Sequence, residues 1–175
     1  MKIDEALALI RPIPDFPHPG ILFQDITPLL ANGQAFSALT SHLAQFARPG
    51  VVIAGIEARG FIIASALAHN VGNGFIPIRK AGKLPGAIYS HNYGLEYGSD
   101  TLEIHQDAIA PGQEVLLIDD VLATGGTLEA GVELITRAGG NVKAIVTLLE
   151  IAFLSGRDRL EAKYPDITIT SLVVS

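Results

Sequence analysis

Cysteine and tryptophan are absent from this sequence of 175 residues, and methionine occurs once. Without cysteine the chain has no disulfide, no thiolate nucleophile and no metal site of the cysteine type. The five histidines show no metal-ligand spacing, and we interpret them as structural or surface residues. Charged residues make up only 17% of the chain and the net charge is -6, which argues against binding to nucleic acid or to a membrane surface.

Long uncharged apolar stretches are missing as well. One of the two most apolar regions is interrupted by Glu57 and Arg59, and the other by Lys143 and Glu150. Neither provides the ~18 uncharged residues that a membrane span requires. Residues 1–10 contain three charged side chains and lack the apolar segment of a signal peptide. We therefore expect a cytoplasmic protein.

Hydrophobic residues make up 49% of the chain, enough for one domain with a substantial core. Short β-branched runs alternate with segments of helical periodicity, which predicts a doubly wound, mostly parallel α/β sheet flanked by helices. We expect a single domain over residues 1–175. The predicted helices cover residues 2–10, 34–46, 61–67, 128–138 and 155–163, and the predicted parallel strands cover residues 51–56, 74–79, 115–118, 142–151 and 167–174.

The most informative stretch covers residues 114–127. Its apolar strand, residues 115–118, is predicted to end at Asp119 and Asp120, and a loop of small residues then leads into a helix. The start of a helix presents unpaired N–H groups to an anion, and carboxylates accept hydrogen bonds from sugar hydroxyls. The pattern therefore predicts a ribose phosphate site, although a capped turn with two solvated aspartates is the simpler alternative. Adjacent residues of a strand face opposite ways, so both carboxylates reach one ligand only if the strand is breaking up there.

This stretch resembles the phosphoribosyl pyrophosphate (PRPP) motif of the type I phosphoribosyltransferases. The resemblance implies that Asp119 and Asp120 bind the ribose hydroxyls and that the loop binds the ribose 5-phosphate. The loop residues concerned are Ala123, Thr124, Gly125, Gly126 and Thr127. Neither the P-loop pattern nor the dinucleotide-binding glycine pattern occurs in the chain.

Cationic side chains follow two other predicted strands. Arg59 stands at the start of a helix, where it suits an anion, and Arg79, Lys80 and Lys83 fall within five positions of one another. Such cations are more often solvated or paired, but on an acidic chain they favour contact with a polyphosphate. Both segments resemble pyrophosphate-binding segments of the same family. The resemblance also implies a cis peptide bond at Glu57–Ala58.

Residues 87–105 lack helical periodicity and are predicted to form a long hairpin, within a flexible catalytic loop at about residues 82–105 that acts as a lid. The sequence of residues 95–98 resembles the catalytic loop of the adenine phosphoribosyltransferases. By that resemblance Glu96 lies at the imidazole ring of the purine and Tyr97 lies against the ligand. Glu103 is the competitor for the acid–base role, ranked lower because it does not match the motif position.

An N-terminal hood is predicted at about residues 11–30, irregular before residue 21 because of its prolines and Gly20. On residue types alone, a flap that seals the core is an equal alternative. The segment resembles the purine-site hood of the adenine phosphoribosyltransferases, in which Phe23 would stack on the base and the backbone near Leu22 would read its amino edge. Gln24 stands where relatives often have a basic residue.

The resemblance as a whole implies a homodimeric enzyme that converts adenine and PRPP to AMP and pyrophosphate, with Arg59 and Glu96 as catalytic residues. We expect Mg2+ to be held mainly by PRPP, with Asp119 or Asp120 reached only through water. One alternative is a transferase for another purine, xanthine or hypoxanthine. The other is a nucleotide-sensing regulator that has lost the chemistry, although the chain carries no basic face of the kind that such regulators use to bind nucleic acid.

Overall fold

The computed structural model describes residues 1–94 and 99–175. The described helices and strands fall into two compact units, residues 1–45 and residues 46–175. No helix in these ranges is long and apolar enough to cross a membrane.

The first unit contains a small antiparallel sheet and three helices. Its elements are α1 (Ile3–Leu7), β1 (Arg11–Pro14), β2 (Leu22–Asp25), α2 (Thr27–Ala31) and α3 (Gly33–Leu43). The predicted helix at residues 2–10 is therefore only partly present, and the prediction of irregular structure before residue 21 is wrong for β1. Among the described residues β1 has only one partner strand, β2, and alternate residues of a strand point their backbone nitrogens to the same side. Pro12 and Pro14 are tolerated because their backbone nitrogens point away from β2, where no hydrogen-bond donor is needed.

The second unit is built on a sheet of seven strands. Its strands are β3 (Val52–Ile56), β4 (Phe75–Lys80), β5 (Ile88–Gly94), β6 (Ser99–His105), β7 (Glu114–Leu122), β8 (Asn141–Glu150) and β9 (Thr168–Val174). Their order across the sheet is β5-β6-β4-β3-β7-β8-β9. The five strands from β4 to β9 in this order pair in parallel, whereas β6 pairs antiparallel with β4 and β5. The sheet is mostly parallel, as the sequence predicts, and the hairpin is present as β5 and β6.

Helices α4 (Arg59–Val71) and α5 (Gly126–Arg137) cover opposite faces of this sheet, and α6 (Gly156–Lys163) precedes the last strand. A Cβ on Gly55 would lie 2.6 Å from the Cβ of Ala64 in α4, whereas a Cβ on Gly131 in α5 would lie 3.2 Å from Ile56. Because Gly55 and Ile56 are neighbours in β3, they face opposite sides of the sheet. The fold is thus doubly wound, and its core packs β3, β4 and β7 against α5.

Strand β7 continues through Asp119 and Asp120 to Leu122. The prediction that this strand ends at residue 118 is therefore wrong. Ile118 is the last residue of β7 that pairs with β3. On the other side of β7, β8 extends further and still pairs with Val121 and Leu122. The two carboxylates thus lie in the part of β7 that runs past β3, at the carboxyl edge where α/β sheets bind ligands.

Truncation of Ile135 tests the contribution of the core between α5 and the sheet. Ile135 is fully buried, so Ile135→Ala should lower the free energy of unfolding by about 2–5 kcal/mol in urea denaturation. The control is Val174→Ala on β9, where the side chain is 60% exposed and the expected change is within about 0.5 kcal/mol. Equal losses for the two variants would contradict this assignment of the core.

Candidate active site

A cavity of about 510 Å³ lies at the carboxyl edge of the sheet in the second unit. It brings together the ends of β3, β4 and β7 and the loop that leads into α5. Its lining residues are Glu57, Ala58, Arg59, Lys80, Asp119, Asp120, Val121, Ala123, Thr124, Gly125, Thr127, Leu128 and Leu154. This volume lies within the usual range for sites that hold a small molecule.

Asp119 and Asp120 both line the cavity and both are buried. Burial, and after it the charge of Asp120, raises the pKa of Asp119 well above its ordinary value, although the N–H of Asp120 donates to Asp119 Oδ1 at 2.9 Å. Asp120 Oδ2 lies 2.5 Å from Arg59 Nη2, which brings a guanidinium from the start of α4 to the carboxylate pair. The adjacent carboxylates thus reach one cavity although the strand does not break up.

The loop after β7 forms one wall of the cavity and leads directly into α5, which begins at Gly126. Gly125 has a φ of 83°, a left-handed conformation that favours glycine. The helix has 12 residues, so its unpaired N–H groups and its dipole present a partial positive charge at this loop. Thr124 and Thr127 line the cavity beside it, so the loop offers both backbone and hydroxyl donors to an anion.

Of the cations predicted at the end of β4 to contact a polyphosphate, Lys80 lines the cavity. Its Nζ forms an ion pair with Asp100 of β6 and lies 2.9 Å from the hydroxyl oxygen of Tyr93 in β5. Burial would lower the pKa of Lys80, but the hydrogen bonds with Asp100 and Tyr93 outweigh burial and raise it. Lys80 is therefore charged, and an anion in the cavity competes with Asp100 for it.

Arg79 and Lys83 are not among the lining residues of this cavity. Arg79 makes a bidentate ion pair with Glu57, with Nε–Oε2 at 3.2 Å and Nη2–Oε1 at 3.0 Å, and its Nη1 donates to the carbonyl oxygen of Lys83. The hydrogen bonds from Arg79 hold the pKa of Glu57 below its usual value. Glu57 also accepts the N–H of Lys80, so it ties the ends of β3 and β4 together.

The cis peptide bond predicted at Glu57–Ala58 is present. Glu103, the alternative acid–base group, is buried, and its Oε2 accepts the N–H of Gly82 at 3.0 Å. This contact gives Glu103 a structural role in holding the loop that follows β4. The preferred residue, Glu96, and its neighbour Tyr97 lie outside the described residues.

The hood residues Leu22, Phe23 and Gln24 lie in β2 of the first unit. The ring of Phe23 packs edge-on against Phe16, with 5.1 Å between the ring centroids. Sequence reasoning missed Leu154 as a lining residue, because a single leucine after a strand carries no signal of its own. It also passed over Glu57 as a site residue, although this carboxylate directly follows a predicted strand.

Removing the charge at position 119 should stabilise the protein. Because the pKa of Asp119 is raised in the folded state, ionisation opposes folding above the ordinary value of 3.8. Asp119→Asn should therefore raise the free energy of unfolding at pH 7, and the difference from the wild type should shrink as the pH falls toward 3.8. Urea denaturation across this pH range measures both effects.

The exposed Asp166 provides the control, and Asp166→Asn should change stability little at any of these pH values. A less stable Asp119→Asn variant at pH 7 would contradict the cost assigned to the buried carboxylate pair.

Comparison with known proteins identifies the family of this chain. A profile of the phosphoribosyl transferase domain matches residues 29–173. The adenine phosphoribosyltransferase of Nocardioides sp. is 53% identical over 164 residues, which cover 90% of this chain and 89% of the relative.

Solved structures give the same result. The adenine phosphoribosyltransferase of Thermoanaerobacter pseudethanolicus superposes with a TM-score of 0.92 at 45% identity, over 99% of this chain and 100% of that one. The enzyme of Giardia lamblia, solved with 9-deazaadenine, has a TM-score of 0.90 at 38% identity, over 100% of this chain and 98% of that one. The chain therefore belongs to the phosphoribosyl transferase family, among the adenine phosphoribosyltransferases.

Proposed function

We propose that this enzyme transfers the phosphoribosyl group of PRPP to adenine, which yields AMP and pyrophosphate and recovers the purine. The observation that carries the proposal is the convergence, in one cavity, of a buried carboxylate pair, a helix start with two threonines, and two cations. Each of these three features matches a different part of PRPP. The 9-deazaadenine in the Giardia lamblia structure supports adenine as the base.

We assign the ribose 5-phosphate to residues 123–127. The N–H groups at the start of α5 and the hydroxyls of Thr124 and Thr127 are the donors that a phosphate dianion needs. We assign the ribose hydroxyls to Asp119 and Asp120, whose carboxylates would accept their hydrogen bonds. Because the sugar develops positive charge as pyrophosphate leaves, two carboxylates beside it also lower the energy of the transition state.

We assign the pyrophosphate to Arg59 and Lys80. In the described structure Asp120 pairs with Arg59 and Asp100 pairs with Lys80, so both cations are already held at the cavity. A diphosphate carries more charge than either carboxylate and draws both cations onto its oxygens as the bond to the ribose breaks. Arg79 and Lys83 remain predicted contacts, and Arg79 would first have to leave Glu57.

We propose that Phe23 stacks on the base, with the backbone of Leu22 and the side chain of Gln24 at the base edge. Leu154 adds an apolar surface inside the cavity itself. Glu96 is proposed to accept the proton of the attacking base, and Tyr97 to contact the ligand. The structural role of Glu103 at Gly82 supports Glu96 over Glu103 for the proton transfer.

Mg2+ fits this site as a partner of the substrate. Asp119 and Asp120 offer the oxygen ligands that Mg2+ prefers, and among the described residues no three histidine or acidic side chains cluster to hold a metal on their own. We therefore propose that PRPP and water hold most of the Mg2+ coordination shell. Bound there, Mg2+ neutralises charge on the diphosphate. A homodimer and a cytoplasmic location complete the proposal on the strength of the family.

Base selectivity tests the proposed reaction. With PRPP and Mg2+, adenine should yield AMP, whereas hypoxanthine, xanthine and guanine should yield no nucleotide, as measured by chromatography of the products. Removal of Mg2+ by a chelator should stop the reaction. Glu96→Ala should lower kcat by about 10²-fold or more, because general-base help is lost.

The remaining bases and ligand binding separate the alternatives. Turnover of xanthine or hypoxanthine in place of adenine would contradict the assignment of the base site and leave the PRPP site standing. Binding of PRPP or AMP without turnover of any base would instead favour the nucleotide sensor.

The proposed contact of Lys80 with pyrophosphate can be tested separately from base recognition. Lys80→Met should raise the KM for PRPP by about 10-fold or more, because a charge-assisted hydrogen bond to phosphate is lost. The KM for adenine should change little. Lys143→Met, which removes an exposed lysine of β8, is the matched control and should leave both KM values unchanged. An unchanged KM for PRPP in Lys80→Met would refute the assignment of pyrophosphate to this lysine.

A further inference from the structure

The loop that lines the phosphate side of the cavity is packed from behind by the start of α6. At Gly156, the first residue of α6, there is no room for a side chain. A Cβ there would lie 2.1 Å from the carbonyl oxygen of Ala123 and 2.8 Å from the backbone nitrogen of Gly125. Backbone therefore packs directly on backbone, and α6 fixes how far the loop can recede from the cavity.

The contact is equally close from the other side. A Cβ on Gly125 would lie 2.9 Å from the carbonyl oxygen of Gly156 and 3.3 Å from its Cα. Two glycines that stand 31 positions apart in the sequence are thus packed against each other. Because backbone atoms cannot rotate away as a side chain does, a shift of either segment displaces the other.

A partly buried ion pair anchors the residue that follows Gly156. This residue, Arg157, donates from Nη2 to Glu150 Oε2 at 2.5 Å and from Nε to Glu150 Oε1 at 3.0 Å. The same guanidinium donates to the carbonyl oxygen of Ile169 at 3.0 Å and to Ser171 Oγ at 3.2 Å, both in β9. The start of α6 is therefore anchored to β8 and β9, and the loop packs against this anchored end.

We propose that Glu150 and Arg157 are positioning residues for the ribose 5-phosphate, acting through Gly156 on residues 123–125. Neither side chain lines the cavity. Their effect is to hold the backbone donors of the loop where the phosphate needs them, so that no binding energy is spent on moving the loop. The inference rests on the proposed assignment of the phosphate to this loop.

The expected effect is selective for one end of the substrate. In Gly156→Ala the loop has to move by about 1 Å to restore ordinary contact distances, and a misplacement of this size costs about 10²-fold where positioning matters. Arg157→Lys and Glu150→Gln remove the bidentate contact without adding volume, and we expect a smaller loss of about 10-fold. Pyrophosphate, assigned to Arg59 and Lys80, should bind all three variants as it binds the wild type.

The test is calorimetric titration of the wild type and each variant with AMP and, separately, with pyrophosphate, both in the presence of Mg2+. AMP affinity should fall by the factors given above, while pyrophosphate affinity stays within about twofold of the wild-type value. A general loss of stability would not produce this difference between the two ligands. Glu133→Gln is the matched control, because Glu133 pairs with Lys163 at the far end of α6. It should leave both affinities unchanged.

Equal losses of AMP and pyrophosphate affinity, or no loss of either, would overturn the positioning role. If Gly156→Ala does not fold, Arg157→Lys decides the question by the same ratio of affinities. Thr127→Val tests the assignment of the phosphate itself. If Thr127→Val binds AMP as well as the wild type does, the loop is not the phosphate site, and both the phosphate assignment and the positioning role are wrong. If Thr127→Val loses AMP affinity but the variants at positions 150, 156 and 157 do not, the phosphate assignment stands and only the positioning role is refuted.

Discussion

The burial of two adjacent carboxylates is the constraint on which the rest of the site depends. Asp119 and Asp120 stand in β7 beyond its pairing with β3, and burial raises the pKa of Asp119, so the fold opposes the ionisation of that carboxyl. Arg59 and the N–H of Asp120 offset part of that cost. The packed sheet on either side supplies the stability that makes this arrangement tolerable, so the two carboxylates are in position before the proposed ribose binds.

The neighbouring parts of the site are held in place by contacts between the protein's own groups. Glu57 joins the ends of β3 and β4 through Arg79 and the N–H of Lys80. The start of α6 packs behind the loop that precedes α5. Preorganisation of this kind matters for the proposed transfer, because groups that stabilise a short-lived sugar cation must be in position before it forms.

The order of strands and helices in the second unit could be predicted because each buried strand is a short β-branched run and each helix shows its own period. The end of β7 could not be predicted from the sequence, because pairing with β8, which comes later in the chain, extends β7 past the two carboxylates. The pairing of β1 with β2 was missed because prolines argue against strands except at an edge. At the site, the motif residues were predictable from their order along the chain. The engagement of Arg79 by Glu57 and the presence of Leu154 in the cavity depend on tertiary packing, which leaves no local signal.

A crystal structure of the protein with AMP bound would test the assignment of the ribose and phosphate sites directly. We expect the 5′-phosphate to lie within about 3 Å of the backbone nitrogens at the start of α5 and of the hydroxyls of Thr124 and Thr127. We also expect Asp119 and Asp120 to accept hydrogen bonds from the ribose hydroxyls. A phosphate bound instead between Arg59 and Lys80, with the ribose away from the two carboxylates, would contradict this assignment.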